Sequence, residues 1–321
     1  MTTATAPVGL ISNPASGHNQ DQFERIHARI ANCTAIHHLV THSEAEVGPA
    51  LAELAERQIG ILAINGGDGT AANILGEMLE SKLFASPPLI VLLPGGTANM
   101  NAGDIGVSGS LWKATERFCS WCESERQTEG LLAQRALMRV MIAGEQKPHY
   151  GMFLGGGAVI QGTEYAHAEV HARGLRDDFS LALTTLRTVW GLVRNDPKFN
   201  RHVTIDMALD EGEAASYDTL ILAISTLQRL AFGMRPFWGT GAGRVRVTLF
   251  QQGCSRFTST FISVIRGRPN RNAVPESGYI SHNADKIRLH MDGKLNLDGE
   301  ILVTEGQVEI SASPNLEFLK L

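Results

Sequence analysis

The first third of the chain alternates short apolar runs with segments of helical periodicity. The apolar runs are VGLIS (8–12), IHHLVT (36–41), IGILAI (59–64) and LIVLL (89–93). Between the first two, residues 20–31 carry apolar side chains at helical spacing. Short apolar strands that alternate with helices predict a parallel sheet with helices on both faces. We therefore predict an α/β domain in the N-terminal part of the chain.

The pattern changes near residue 130, after which strand-like segments follow one another closely. These segments are ALMRVMIAG, HYGMFLGG, RHVTIDMAL, TLILAIST, GRVRVTLF and FTSTFISVI. One segment of helical character, residues 180–195, interrupts them. Many strands in sequence, separated by Gly, Asp and Asn, predict a β-rich and mostly antiparallel second domain.

Length, composition and charge argue against several classes of protein. With 321 residues, of which 43% are apolar, the chain is long enough for two domains with real cores. Its formal charge of -5 argues against a nucleic-acid binder, which is usually basic. The first residues, MTTATAP, show no features of a secretory signal, and no run is long enough for a membrane span. We therefore expect a cytoplasmic protein.

The cysteines and five of the eleven histidines are not expected to bind a metal. Cys119 and Cys122 form a CxxC that lacks a second pair and falls at helical spacing, which favours packing thiols over a zinc or redox site. His37, His38 and His42 are expected at the surface. His167 and His171 are expected on a solvated helix face, since the Glu of a zinc-protease motif is absent.

Two glycine-rich loops directly follow the third and fourth apolar runs. The first contains Gly66-Gly67-Asp68-Gly69-Thr70, and the second contains Pro94, Gly95, Gly96, Thr97 and Asn99. Each loop lies at the carboxyl end of a predicted parallel strand, where α/β sheets bind ligands. After the first loop, the backbone amides of Gly69, Thr70 and Ala71 are expected to point at an anion from the start of the following helix. Two such loops in succession predict a nucleotide site.

Asp68 decides between kinds of nucleotide site. The first loop formally matches G-x-G-x-x-A, but the next strand offers no acid to hold a ribose, as a dinucleotide site requires. It is not a Walker loop either, because no Lys follows the glycines. An acid beside phosphates is explained by a Mg²⁺ ion that bridges carboxylate and phosphate oxygens.

Five motifs connect these loops to a known family. They are Asn13-Pro14-x-Ser16-Gly17, Thr41 at a strand end, Gly66-Gly67-Asp68-Gly69-Thr70, Pro94-x-Gly96-Thr97-x-Asn99 and Leu297-Asp298-Gly299-Glu300. In this order they resemble the diacylglycerol kinase catalytic-domain family, soluble lipid kinases that include sphingosine and ceramide kinases. The resemblance implies an N-terminal domain similar to that of NAD kinases and phosphofructokinases, and a β-rich C-terminal lipid-binding domain.

The resemblance also implies domain boundaries and site residues. Because the family's last strand commonly returns to the first domain, we expect residues 1–133 with a strand at about 312–321 to bind the nucleotide, and residues 134–311 to bind lipid. The implied ATP site is lined by Asn13, Pro14, Ser16, Gly17, Thr41, Gly66, Gly67, Asp68, Gly69, Thr70, Asn73, Gly96, Thr97 and Asn99. The implied catalytic carboxylates near the C-terminus are those of Asp298 and Glu300, at a cleft between the domains.

Two Asp-Gly pairs compete for the catalytic assignment. Asp292-Gly293 lies between two alternating segments and is predicted to be a two-residue hairpin turn. Asp298 and Glu300 are spaced i, i+2, which on an extended backbone places both on one side. We hypothesise that Asp298 accepts the proton of the lipid hydroxyl, while Glu300 and Asp68 hold Mg²⁺ or orient that base.

The chain departs from the family's pattern at several positions. Family members usually follow Gly-Gly-Asp-Gly-Thr with x-Asn-Glu, whereas here Ala71-Ala72-Asn73 follows, so the acid is missing. They usually have Asn-Asp-Phe-Ala at the second loop, whereas here the residues are Asn99-Met100-Asn101-Ala102. Ala242 stands where many bacterial members have an Asp of a structural Mg²⁺ site, so we do not expect that second metal.

Two segments could bring the protein to a lipid. Residues 186–199 and 227–239 interleave Trp, Phe or Leu with Arg, a mixture that suits a bilayer surface, although core packing explains it equally well. An acyl-chain wall is assigned to Phe232, Met234, Phe237 and Trp238.

The sequence thus favours an ATP- and Mg²⁺-dependent kinase of a lipid hydroxyl, in peripheral contact with the inner membrane face. The lipid could be diacylglycerol or a sphingoid- or ceramide-type lipid. Three alternatives stay open, namely a kinase of a soluble acceptor such as NAD, a dinucleotide oxidoreductase, and a non-catalytic nucleotide sensor. The oligomeric state is also open, with a homodimer as one arrangement.

Overall fold

A computed structural model describes residues 6–161 and 202–321 and divides into two compact units. Unit 1 comprises Met1–Arg135 and Asn315–Leu321, and unit 2 comprises Ala136–Pro314. The helical segment predicted at 180–195, the segment 186–199 considered for lipid contact, and His167 and His171 lie outside the described residues.

Unit 1 alternates strands and helices along most of its length. Its elements are β1 (Val8–Ser12), α1 (Asn19–Ala31), β2 (Ile36–Val40), α2 (Val47–Glu56), β3 (Ile61–Gly66), α3 (Asp68–Ser81), β4 (Leu89–Pro94), α4 (Met100–Ile105), α5 (Leu111–Cys122), β5 (Leu132–Arg135) and the last strand of the chain, β15 (Leu316–Leu319).

These strands form a six-stranded sheet in the order β2-β1-β3-β4-β15-β5. All neighbours pair in parallel except β15 and β5, which are antiparallel. The central strands β1 and β3 are buried along their whole length. The direction of winding reverses at β1, so the carboxyl ends of β1 and β3 form the switch point at which such sheets bind ligands. The predicted α/β fold of this part of the chain is confirmed.

The CxxC pair lies on the buried face of α5. Cys119 and Cys122 are free thiols with almost no exposed surface. Burial raises the pKa of each thiol to about 12, so both stay protonated at neutral pH. The two cysteines therefore pack as small apolar side chains, as predicted.

His38 is not the surface residue that we expected. It lies half-buried on β2, where its Nε2 is 2.8 Å from Ser12 Oγ and its ring centroid is 5.0 Å from that of His27. Burial lowers the pKa of His38 from its ordinary value of 6.5 to about 4, and the neighbouring His27 and His37 act in the same direction. His42, in contrast, is exposed as expected.

Unit 2 consists mainly of antiparallel strands. Its elements are β6 (Met138–Ile142), β7 (His149–Gly151), β8 (Phe153–Gly157), β9 (Val203–Leu209), β10 (Ala215–Ser225), β11 (Val245–Gln251), α6 (Phe257–Ile265), β12 (Tyr279–Ala284), β13 (Lys286–Leu297) and β14 (Glu300–Ala312). The described strands form one nine-stranded sheet in the order β12-β11-β10-β8-β13-β14-β6-β7, with β9 between β10 and β13. The predicted β-rich, mostly antiparallel character is confirmed.

FTSTFISVI is a helix, and the prediction of a strand there was wrong. Phe257, Thr260, Phe261 and Val264 recur at helical spacing and form the inner face of α6, next to Phe250 of β11. The β-branched residues between them imitate strand composition, but the buried side chains follow the helical period.

Asp292-Gly293 is not a turn, which corrects a second prediction. β13 runs straight through both residues, and they pair with Glu305 and Thr304 of β14. The strand leaves its partner only after Leu297, which pairs with Glu300. The two-residue turn is therefore Asp298-Gly299, six residues later.

Within the described ranges, no helix is long and apolar enough to cross a membrane.

We predict that acidification destabilises unit 1 through His38. The unfolded chain binds a proton at His38 below about pH 6.5, whereas the folded chain binds it only below about pH 4. The stability that neutral His38 contributes is therefore complete above pH 6.5 and is lost as the pH falls towards 4. His38→Gln should flatten this part of the pH dependence of the urea midpoint, and His42→Gln is the matched control. A His38→Gln variant with wild-type pH dependence would contradict the assignment.

Candidate active site

Loops from the carboxyl ends of the first three strands are joined by direct hydrogen bonds. Asn13, just beyond β1, donates from Nδ2 to Oγ1 of Thr70, beyond β3, at 3.0 Å. Its backbone N–H donates to the carbonyl of Asn65 at 2.9 Å. Thr41, which is buried just beyond β2, donates its N–H to the carbonyl of Ser12 at 2.9 Å. The predicted nucleotide-site residues of these loops thus lie together at the switch point of the sheet.

Two fully buried asparagines, Asn19 and Asn65, hold the loops by hydrogen bonds. They were not among the site residues predicted from the sequence. Asn19 Nδ2 donates to the carbonyl of Asn13 at 2.8 Å, and its backbone N–H donates to the carbonyl of Gly95 at 3.3 Å. Asn65 Nδ2 donates to Ser12 Oγ at 3.1 Å. A buried amide at the end of an apolar strand needs partners. The polar Asn65 directly after IGILAI was the available signal in the sequence.

The glycines of the three loops allow their backbones to touch. A Cβ added to Gly96 would lie 2.4 Å from the Cα of Gly67, and a Cβ added to Gly17 would lie 2.6 Å from Oγ1 of Thr97. Neither contact is possible for any other residue without moving a loop. These glycines are therefore required by the close approach of the backbones.

Asp68 is the first residue of α3, and its carboxylate binds the start of α4. Its Oδ2 accepts from Met100 N at 3.0 Å, and its Oδ1 accepts from Asn101 N at 2.9 Å. Burial raises the pKa of Asp68, while the two amide hydrogen bonds oppose that shift. Asp68 therefore ties the first glycine loop to the second, a role that the sequence did not suggest.

Asn99 closes the second loop on itself. Its Oδ1 accepts from Gly96 N at 2.8 Å and its Nδ2 donates to Gly96 O at 2.7 Å, while its own φ is 46°. Asn tolerates this left-handed conformation better than most residues. The other predicted residues of unit 1 lie on the same loops or at the start of α3, and they are Pro14, Ser16, Gly69 and Asn73.

The start of α3 leaves few amides for a ligand. The N–H of Ala71 donates to the carbonyl of Gly67 at 3.0 Å, so it is not available to an anion as we had expected. The amides of Gly69 and Thr70 precede it in the first turn, where N–H groups have no intrahelical partner. With the close backbone approach of the glycines, these two amides fit a phosphate group.

The residues of this edge also fit a magnesium ion bound together with phosphates. Each Asp68 oxygen accepts one amide and keeps a second acceptor position. Mg²⁺ usually takes one or two carboxylates and fills its other positions with phosphate oxygens and water. One carboxylate beside a phosphate-binding helix start is such a donor set.

In unit 2, Asp298 is held in the same way as Asp68. Its Oδ2 accepts from Met152 N at 2.8 Å, and its Oδ1 accepts from Phe153 N at 2.9 Å. Its own N–H donates to the carbonyl of Phe153 at 2.9 Å. A Cβ on Gly151 would lie 3.1 Å from Asp298 Oδ2, so this glycine leaves room for the carboxylate.

Asp298 and Glu300 do not share an extended backbone, which corrects the argument from their i, i+2 spacing. Asp298 has φ 48° and Gly299 has φ 100°, as in a two-residue hairpin turn with both φ angles positive. Glu300 is exposed at the start of β14. The catalytic roles proposed for the two carboxylates stay predictions.

The predicted acyl-chain wall does not have a single environment. The side chain of Phe232 is strongly exposed, whereas Trp238 is partly buried with its ring centroid 6.3 Å from that of Phe250. Met234 and Phe237 lie between them and are half-buried.

Comparison with known proteins agrees with this architecture. The family model for the diacylglycerol kinase catalytic domain matches residues 7–127. No curated protein matches the chain.

Two crystal structures from Bacillus anthracis str. Sterne each cover 98% of this chain, which covers 97% of theirs. One is a diacylglycerol kinase at 14% identity with a TM-score of 0.62. The other is given as a candidate diacylglycerol kinase, at 15% identity with a TM-score of 0.66. Likeness at this level of identity shows the fold alone.

The family model covers the strands, loops and helices that build the glycine-loop edge of unit 1, including Asp68 and the residues that surround it. The resemblance of the chain to the diacylglycerol kinase catalytic-domain family is therefore confirmed over residues 7–127, which match the model of that domain.

Proposed function

We propose that the protein is an ATP- and Mg²⁺-dependent kinase that transfers the γ-phosphate to a hydroxyl group of a lipid. The acceptor is diacylglycerol or a sphingoid- or ceramide-type lipid. The match of residues 7–127 to a kinase catalytic domain supports phosphoryl transfer. The lipid acceptor rests on the family resemblance.

One observation carries the proposal, namely the interlocked glycine loops around an acid at the switch point of a parallel sheet. Gly67 and Gly96 approach so closely that a Cβ added to Gly96 would lie 2.4 Å from the Cα of Gly67. Glycine backbone and helix amides can cradle phosphates, and the only acid among them, Asp68, suits a metal that neutralises phosphate charge. A dinucleotide oxidoreductase would need a ribose acid after β4, where Pro94, Gly95 and Gly96 stand instead.

Bound Mg²⁺ would supply charge neutralisation for the phosphate oxygens, and Asp68 would be its ligand from unit 1. Asp298 accepts the proton of the lipid hydroxyl. The freed oxygen forms a bond to the γ-phosphorus, and the bond between that phosphorus and the β,γ-bridging oxygen breaks, so that ADP leaves. The amides of Met152 and Phe153 fix the Asp298 carboxylate in one orientation.

The direct test is incubation with γ-labelled ATP, Mg²⁺ and a whole-lipid extract in detergent micelles. We expect one class of lipid to gain the label. Label in NAD, offered in a parallel detergent-free reaction, would instead assign a soluble acceptor. Saturable ATP binding without transfer to any acceptor would indicate a nucleotide sensor.

We predict that Gly96→Ala weakens ATP binding. Its Cβ would have to lie 2.4 Å from the Gly67 Cα, so the two loops must move apart. Overpacking costs about 1–3 kcal/mol, which corresponds to binding weaker by about 5- to 150-fold if the whole cost falls on the bound state. Calorimetry or fluorescence titration with ATP measures this change.

Gly103→Ala is the matched control for Gly96→Ala. Gly103 lies inside the neighbouring helix α4, and a Cβ there would meet nothing within 4 Å. ATP affinity should stay at the wild-type value. Equal affinity losses in the two variants would contradict a nucleotide site at the loop contact.

We predict that Asp298→Asn lowers kcat on the order of 100- to 10,000-fold, as expected for loss of a general base. ATP affinity should be unchanged. The new amide group would face the N–H of Met152 or Phe153, so a stability loss of about 1–3 kcal/mol accompanies it. Steady-state kinetics, ATP titration and urea unfolding separate these effects.

Asp292→Asn is the control for Asp298→Asn. Asp292 is also followed by glycine on the same strand, but it is exposed and pairs within the regular β13–β14 ladder. Its kcat should equal that of the wild type. Full turnover in Asp298→Asn would remove Asp298 from the mechanism.

A further inference from the structure

A long stretch of unit 2 contains positive charges only. Between residues 219 and 275 there is no Asp, Glu or Lys, but there are eight arginines at positions 229, 235, 244, 246, 256, 266, 268 and 271. The whole chain has a formal charge of -5, so the charges are strongly segregated. Such segregation on an acidic protein points to a partner with negative charge.

Four of these arginines surround the C-terminal end of α6. They are Arg235, Arg266, Arg268 and Arg271, all exposed, and we call them the arginine surface. The N–H of Arg235 donates to the carbonyl of Ile265, the last residue of α6, at 2.8 Å. The N–H of Arg268 donates to the carbonyl of Ser263 at 3.0 Å. These bonds fix the two chain segments against one helix end.

The side chains of this surface are crowded together. A Cβ on Gly267 would lie 3.1 Å from Arg235 Cβ and 3.4 Å from its Cδ, so the stem of Arg235 runs over Gly267 between Arg266 and Arg268. Within the two described ranges, none of the four arginines of the surface forms an ion pair. Like charges held this closely without a counter-charge favour the binding of an external anion.

An exposed aromatic side chain stands beside the arginine surface. Phe232 is 60% exposed, in a short turn closed by the Leu230 N–H donating to the Met234 carbonyl at 2.7 Å. Its φ is 56°, an unusual conformation for a bulky residue. Arg235 follows this turn directly. A strained turn that presents an aromatic ring to solvent is explained when that ring has an apolar partner.

We propose that the arginine surface and Phe232 dock the protein on an anionic lipid bilayer. The guanidinium groups bind the phosphates of acidic headgroups, since the planar fork of arginine matches a phosphate oxygen pair. Phe232 inserts at the boundary between headgroups and acyl chains. Phe232 thus acts at the membrane rather than as a wall of an acyl-chain pocket. The inference rests on the proposed function in one respect, that a lipid acceptor is reached at a membrane surface.

A bilayer explains both parts of the surface better than other polyanions do. A free anion would account for the arginines but leave Phe232 in water. A single-stranded nucleic acid is usually bound by several aromatic rings on which successive bases stack, whereas Phe232 is the only strongly exposed aromatic side chain among the described residues. A bilayer is flat, carries many headgroup phosphates, and offers apolar depth at the position of the ring.

The test is flotation with vesicles of phosphatidylcholine, alone or mixed with phosphatidylglycerol, without ATP. We expect binding to the mixed vesicles only, and weaker binding as NaCl is raised, because salt screens the attraction. The triple variant R235Q/R266Q/R268Q should bind the mixed vesicles on the order of 100-fold more weakly. Phe232→Ser should weaken binding roughly tenfold. Circular dichroism checks that both variants are folded.

The matched control is the triple variant R244Q/K286Q/R288Q, which removes the same amount of charge from unit 2. These residues have described partners, since Arg244 lies near Asp285, Lys286 pairs with Glu309, and Arg288 donates to the Gly212 carbonyl. The control should keep wild-type vesicle binding. Equal losses in both triple variants would show a net-charge effect and overturn the assignment. So would equal binding to neutral vesicles, or retention on heparin without vesicle binding.

The vesicle assay tests the docking surface and the kinase assay tests the proposed function, so a negative result in one does not overturn the other. Transfer of label to a lipid in neutral detergent micelles tests the proposed function and does not need the arginine surface, so R235Q/R266Q/R268Q should be active there. Micelle activity without vesicle binding by the wild type would overturn only the docking surface. Vesicle binding without phosphorylation of any lipid would overturn only the lipid-kinase function.

Discussion

The contact between Gly67 and Gly96 is the constraint on which the glycine-loop edge of unit 1 depends. The backbones of the two loops meet so closely that a Cβ on Gly96 would lie 2.4 Å from the Gly67 Cα, while a Cβ on Gly67 would lie 3.2 Å from the Gly96 Cα. The hydrogen bonds of Asn13 and Asn19 then bring the loop after β1 to the same point. The first turn of α3, with the N–H groups of Gly69 and Thr70, begins at this edge and suits an anion such as a phosphate.

Asp68 of unit 1 and Asp298 of unit 2 are held by the same kind of hydrogen bonding. Each carboxylate accepts hydrogen bonds from two successive backbone amides, one on each oxygen. A carboxylate fixed in this way has one orientation, which is what a metal ligand or a general base needs. The same bonds also serve the fold, because they attach α4 to α3 in unit 1 and β8 to the β13–β14 turn in unit 2.

Local sequence patterns predicted most of the helices and strands correctly. Contacts between residues far apart in the chain determined the elements that were predicted wrongly. The buried strands of unit 1 are continuous apolar runs, so composition alone locates them. In FTSTFISVI, strand-like composition and helical spacing disagree, and burial against Phe250 decided for the helix. Two Asp-Gly pairs lie six residues apart, and only Asp298 meets the amides of Met152 and Phe153, which lie about 145 positions earlier in the chain. No local pattern contains that information.

The placement of β15 has a consequence for the order in which the chain folds. This strand lies between β4 and β5, and its Phe318 is fully buried. During synthesis, β4 emerges more than two hundred residues before the strand that covers its edge. The sheet of unit 1 can therefore be completed only after all of unit 2 has been made, and until then the open flank of β4 is a place for wrong pairing.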